Sequence, residues 1–258
     1  MYDADISFQE VVYRLSNPRW VASHSLRFVR EVLASFVPSQ FNHLFRKVSP
    51  ITMVSYARLH GLYQATRYVV QNSIPGEFVE CGVAKGGSAA LVGLTLLQMR
   101  AKRDLWLFDT FAGLPKPSKD DPDYEIADLY TGTCFASQEE VRASLQSLGV
   151  TADIHFVPGL FQDTVQGAAI QSISLLHLDG DWYESVKTCL HGLYDKVSPG
   201  GVIQFDDYGH WAGARKAVDE FMKERGISTH LHRLDFSGRQ LIKPLQHTQS
   251  SGGKSFKS

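Results

Sequence analysis

Cysteine is scarce in this chain: Cys81, Cys134 and Cys189 are the only three in 258 residues, and no two stand as C-x-x-C. So sparse and odd a set suggests a reducing compartment and no structural zinc. An excess of charge of one sign is missing as well. With 26 Lys and Arg against 27 Asp and Glu, the formal net charge is −1. That leaves no electrostatic footprint for nucleic acid or an anionic membrane. No apolar run approaches the length of a membrane span, and the opening M-Y-D-A-D-I carries acids where a signal peptide carries bases. The expectation is a soluble, cytoplasmic protein. Also lacking are an internal repeat and a G-x-G-x-x-G after the first expected strand, and the missing glycine pattern argues against a nucleotide-sugar oxidoreductase. What remains, at 43% apolar, suffices for one α/β domain with a full core and an accessory segment.

The chain is organised around E-F-V-E-C-G-V-A-K-G-G-S, residues 77–88. Phe78, Val79 and Cys81 form a short apolar run ending at Gly82; Gly86, Gly87 and Ser88 lead into an apolar helical stretch, 89–99. Strand, glycine turn and helix together open a doubly wound sheet, in which ligands sit beyond the carboxyl ends of strands. The glycines admit close backbone approach, and Ser88 can cap the helix. Glu80 at the strand end repels a pyrophosphate and attracts a sulfonium, so the pattern points to S-adenosylmethionine rather than a dinucleotide.

Residues 1–50 read as an accessory segment, with helical stretches at 11–15 and 26–36 between prolines. Within residues 52–72, Tyr56, Leu59, Leu62, Tyr63, Thr66 and Val69 recur as on one helix face; this helix packs on the sheet, or else Thr52, Met53 and Ser55, just before it, cover the cofactor. The second strand, 105–108, ends at Asp109, placed either to accept two ribose hydroxyls or to cap the turn T-F-A-G-L-P. Residues 115–130 are acidic and aperiodic: a solvated loop, or a mobile flap. Ser137 and Glu140 spell a capping box for a helix at 138–148. Strands follow at 154–157, 173–178 and 202–205, with a turn at 198–201 and helices at 182–196 and 214–223. Residues 230–235 and 239–244 read as an antiparallel hairpin. A parallel sheet closed by such a hairpin is the class I SAM-dependent methyltransferase form of the α/β Rossmann-like fold. The domain spans 51–245, and the Ser/Gly/Lys-rich stretch 246–258 is expected to be disordered.

Asp179, Asp181, Asp206 and Asp207 fall at the ends of two neighbouring strands. Four converging carboxylates repel one another unless a cation lies among them, and hard oxygen donors suit magnesium. Capping accounts for part of this, since Asp181 with Glu184 spells a capping box and Asp207 can cap the following helix. It does not account for two acids at each strand end. Asp179 and Asp181, if both lie in extended backbone, point to the same side. His177 and His191 fall inside regular elements; His210, just after the acids, is the histidine expected near a substrate.

The blocks E-C-G-V-A-K-G-G-S-A, D-T-F-A-G-L-P, H-L-D-G-D-W-Y-E-S and F-D-D-Y-G-H-W-A-G-A-R-K-A-V-D-E-F resemble the macrocin O-methyltransferase (TylF/MycF-like) family over residues 52–221. The resemblance implies a magnesium-dependent, SAM-using O-methyltransferase of secondary-metabolite biosynthesis. It implies Asp179, Asp206 and Asp207 as metal ligands, Asp181 as the general base, and Glu80, Gly82, Gly86, Ser88 and Asp109 in the SAM-binding segments. The acceptor is expected to be a small hydroxylated molecule, a vicinal diol on a sugar or an aromatic ring. No nucleic-acid or membrane partner is expected, and a homodimer or larger homo-oligomer stays open. A metal-dependent hydrolase on the same acids is the competing class, separated by whether the protein binds SAM.

Overall fold

The computed structural model describes residues 37–245, together with Leu33. The expected helices at 11–15 and 26–36 and the expected disordered tail at 246–258 lie outside the described residues, apart from Leu33. Along the chain run α1 (Gln40–Val48), α2 (Tyr56–Gln71), β1 (Glu77–Cys81), α3 (Gly87–Met99), β2 (Leu105–Asp109), α4 (Tyr124–Ala127), α5 (Gln138–Ser147), β3 (Ile154–Pro158), α6 (Phe161–Thr164), β4 (Ile173–Leu178), α7 (Tyr183–Leu193), β5 (Val197–Phe205), α8 (Ala212–Glu224), β6 (His232–Arg233) and β7 (Arg239–Ile242). Side chains set several of these limits. Thr52 is extended, and Ser55 Oγ accepts the Arg58 N–H, so α2 starts at Tyr56, the first residue of its apolar spacing. The Ser137–Glu140 capping box at α5 is formed from both sides.

Seven strands lie in the order β3-β2-β1-β4-β5-β7-β6, the first five parallel and the last two antiparallel. Parallel strands are covered on both faces, and β4 (I-S-L-L-H-L) is buried at all six positions. Alternate residues feed two cores. Val79, Phe108, Leu176 and Leu178 pack with α7 and α8, while Phe78, Leu105, Leu107 and Leu175 pack with α1, α2, α3 and α5. Phe41, Leu44 and Val48 of α1 belong to the second core, so this helix is built into the domain. Residues 198–201, expected as a turn, are part of β5. The Gly200 N–H donates to Lys243 O and the Ser198 hydroxyl to Pro75 O, which holds this stretch in the sheet. Sequence order reverses at β1, whose neighbours are β2 and β4, and that reversal opens a crevice at the strands' carboxyl ends.

Candidate active site

A cavity of about 580 Å³ fills that crevice. Gly82 follows β1 and lies against the backbone that follows β4: its φ is +91°, and a Cβ there would lie 1.8 Å from the Asp179 carbonyl oxygen. Asp109 orders the turn that follows. Its Oδ2 accepts the N–H groups of Val83 (2.6 Å) and Ala84 (3.1 Å), and its Oδ1 accepts that of Phe111 (2.8 Å). It therefore caps its own following turn, as the plainer sequence account has it, braces the glycine turn as well, and also lines the cavity. A carboxylate has lone pairs to spare for a further donor.

Of the residues expected to hold the cofactor, Gly82, Ser88, Asp109, Met53 and Ser55 line the cavity; Glu80 and Gly86 do not. Ser88 is not the helix cap. Gly86, in left-handed backbone, takes that position, and Ser88 Oγ donates to Glu80 Oε1 instead. Glu80 is buried and also faces His177, whose Nδ1 lies 2.8 Å from the same oxygen. Its other oxygen, Oε2, has no hydrogen-bond partner. Met53 is exposed at the rim, while Ser55 Oγ donates to Asp235 Oδ2.

Four aspartates converge, but not as one group. One oxygen from each of Asp179, Asp181 and Asp207 lies within 4.8 Å of the others, and a second such set joins Asp179 and Asp206 with His177. Asp206 is already neutralised. Its Oδ2 accepts from Arg58 Nη1, and its Oδ1 faces His177 Nε2 at 3.4 Å. Burial would raise the Asp206 carboxyl, but Arg58 and His177 hold it below the ordinary carboxylate range. Burial would lower His177, yet its bonds to Asp206 and Glu80 lift it to about 10. The other three acids shift the opposite way. Burial, with Asp206, Asp207 and Asp181 nearby, raises Asp179 well above its usual value. Burial and Asp207 raise Asp181, against the pull of a hydrogen bond from Trp211; burial and Asp206 bring Asp207 to about 6. Such crowding of hard oxygen donors fits a divalent cation.

Neither Asp181 nor Asp207 caps a helix. The cap positions of α7 and α8 are Trp182 and Trp211, without a side-chain bond. The acidic 115–130 segment does that work: the Tyr183 N–H donates to Asp121 Oδ1 (2.7 Å), and the Ala212 N–H to Asp123 Oδ2 (3.0 Å). Nor do Asp179 and Asp181 share an extended strand end, because β4 stops at Leu178 and Asp181 is left-handed, with φ +55°. His210 lines the cavity, edge-on to Trp211; His177 and His191 do not line it. Sequence reasoning missed Arg58, Trp211, Tyr130 and Phe236, all in the cavity wall. Trp211 stands inside a recognisable block, D-D-Y-G-H-W, whereas nothing marks Arg58 within its helix.

The macrocin-O-methyltransferase (TylF) family profile matches residues 46–241. Demethyldecarbamoylnovobiocin O-methyltransferase of Streptomyces niveus is 34% identical over 192 residues, 72% of this chain and 73% of that protein. An 8-demethyl-8-(2,3-dimethoxy-alpha-L-rhamnosyl)-tetracenomycin-C 4'-O-methyltransferase of Streptomyces olivaceus is 34% identical over 193 residues, again 72% and 73%. The structure of the O-methyltransferase NovP superposes with a TM-score of 0.70 at 32% identity, covering 76% of this chain and 83% of that one. The calicheamicin methyltransferase CalS11, 18% identical with a TM-score of 0.61, covers 88% and 93% and shares the fold.

Proposed function

The chain belongs to the macrocin O-methyltransferase family, and from that premise we propose that this O-methyltransferase moves the methyl group of S-adenosylmethionine to a hydroxyl of a sugar on a natural product, assisted by magnesium. The observation that carries the reading is that Asp179, Asp181 and Asp207, close enough to share one ion, line the same cavity as the glycine turn. The sugar is favoured because a relative at 34% identity is named for a rhamnosyl acceptor, and because Trp211, Tyr130 and Phe236 give the cavity apolar walls.

Asp179 and Asp207 would hold the cation, with Asp206 beside them as the further ligand that the family resemblance implies. When bound, magnesium supplies the positive charge that makes a neighbouring hydroxyl more acidic, most effectively in a vicinal diol. Asp181 takes the hydroxyl proton. Its raised pKa brings it nearer to neutral pH, where a general base works best. The S–CH3 bond of the sulfonium breaks as the O–CH3 bond forms, and S-adenosylhomocysteine leaves. Gly82 and the Asp109-braced turn fix the donor's side of this line. Positioning of this kind is worth on the order of 7–11 kcal/mol in well-oriented systems.

The test is methylation of α-L-rhamnosides, from the methyl glycoside to a rhamnosylated polyketide, with catechol as the aromatic control. A mono-O-methyl glycoside should form with SAM and Mg2+. Asp181→Asn should lose roughly 10²- to 10⁴-fold in rate, with SAM and Mg2+ affinities retained. Full activity after exhaustive dialysis against chelator would remove magnesium from the mechanism, and turnover of catechol alone would remove the sugar.

A further inference from the structure

Asp179, Asp181 and Asp207 lie close enough to grip one ion together. The proposed chemistry needs one of them left out of that grip, and distance alone does not say which. The environment of Asp181 does. Its Oδ1 accepts the Trp211 indole N–H at 2.9 Å, and its own backbone N–H donates to Asp207 Oδ2 at 3.2 Å. These bonds hold it in left-handed backbone, which aspartate tolerates but does not prefer. The indole is itself fixed. Trp211 is 7% exposed, and three rings meet it edge-on: Trp182 at 4.9 Å, Tyr130 at 5.3 Å and His210 at 4.9 Å. Neither Asp179 nor Asp207 has an indole donor of this kind among the described contacts.

We propose that Trp211 is a positioning residue that divides the acidic cluster: its indole N–H binds Asp181 through Oδ1, so that Asp179 and Asp207 serve the cation while Asp181 keeps its second oxygen for a proton. The inference rests on the magnesium and general-base reading above. A carboxylate oxygen that already accepts a short, buried N–H bond is a poorer partner for a hard cation, which competes for the same lone pairs. Removing the N–H while keeping a ring in its place should therefore release Asp181 as an extra ligand.

Mn2+ and Mg2+ binding, followed by calorimetry with SAM affinity measured in parallel, tests this without an acceptor. Trp211→Phe should bind the cation several-fold more tightly than the wild type, at unchanged SAM affinity. That gain should vanish in the Trp211→Phe, Asp181→Asn double variant, because the released ligand is no longer there. A merely structural role for Trp211 predicts weaker cation binding, and affinity that is unchanged or lower in Trp211→Phe overturns the proposal. If the Phe variant fails to fold, 3-(3-benzothienyl)alanine at position 211, with the bicyclic shape and no N–H, decides by the same criterion. A wild-type protein that binds neither cation at millimolar concentration overturns the magnesium reading itself, and with it this inference. A wild type that binds while Trp211→Phe shows no gain overturns the inference alone.

Discussion

Among the described residues, Arg58 carries the one guanidinium that lines the acidic end of the cavity. Its Nη1 holds Asp206, its Nε donates to Ser55 Oγ and faces Asp235 Oδ2 at 3.4 Å, and its side chain is 14% exposed. Burial would lower its pKa, but Asp206 and Asp235 more than offset this, so it stays charged. Removing one partner of a buried pair costs more than the pair contributes, because it strands the other charge. Arg58→Met should therefore lower unfolding stability by roughly 3–5 kcal/mol in urea denaturation, and adding Asp206→Asn should recover part of that. Additive losses would mean that the two residues are not coupled. The sequence hides this role. A buried cation on a helix face leaves no periodic trace, and its partner lies 148 residues away. Asp109 and Asp181 are legible because acids at strand ends stand out against apolar runs. Their partners, the Val83 and Ala84 amides and the Trp211 indole, come from elsewhere in the chain and leave no pattern beside them.

Among elements, the acidic segment between β2 and α5 departs furthest from its sequence reading. A charge run with no periodicity is ordinarily a solvated loop. Here Asp121 is buried, accepts from Ser118 and from the first turn of α7, and Asp123 accepts from the start of α8. The Trp182 indole donates to Pro115 O, closing the segment against the same helix end. Carboxylates suit both helix N-termini, where N–H groups lack partners and the helix dipole is positive. The fit is close. A side chain on Gly213 would put its Cβ 1.9 Å from Asp121 Oδ1. Composition records such acids, but it cannot say that a cap comes from 62 residues upstream rather than from the adjacent Asp181. Asp121→Ala should cost roughly 1–2 kcal/mol, the usual worth of a helix cap, and should speed proteolysis within residues 115–135. Unchanged stability together with unchanged proteolysis would return the segment to the status of a loose loop.

At the scale of the whole molecule, the sheet was legible because its signals are local and strong. Continuous apolar runs such as 173–178, the glycine turn and the terminal hairpin mark the strands, and right-handed crossovers leave few ways to order them. The charge balance across the crevice was not legible, since it depends on which acids find a base. Asp206 finds Arg58 and His177; Asp179, Asp181 and Asp207 are crowded together beside them. That imbalance makes stability depend on pH with a definite sign. An aspartate in the unfolded chain releases its proton near pH 4, whereas Asp207 in the folded protein keeps it to about 6, and Asp179 and Asp181 are raised too. Between those values the folded state binds protons that the unfolded state has lost, so stability falls as pH rises through the window. A divalent cation bound among these acids, as proposed above, would reverse this above the window and compete with protons inside it. At 100-fold excess over its dissociation constant it adds about 2.7 kcal/mol, or roughly 5–10 °C in Tm for a domain of this size. Magnesium should therefore raise Tm at about pH 7.5 by that order and hardly at all near pH 5, where these acids hold their protons. Thermal melts at the two pH values, with and without Mg2+, read this directly. An equal shift at both would place the cation away from the three acids, and no shift at either would leave their crowding to be relieved by protons alone.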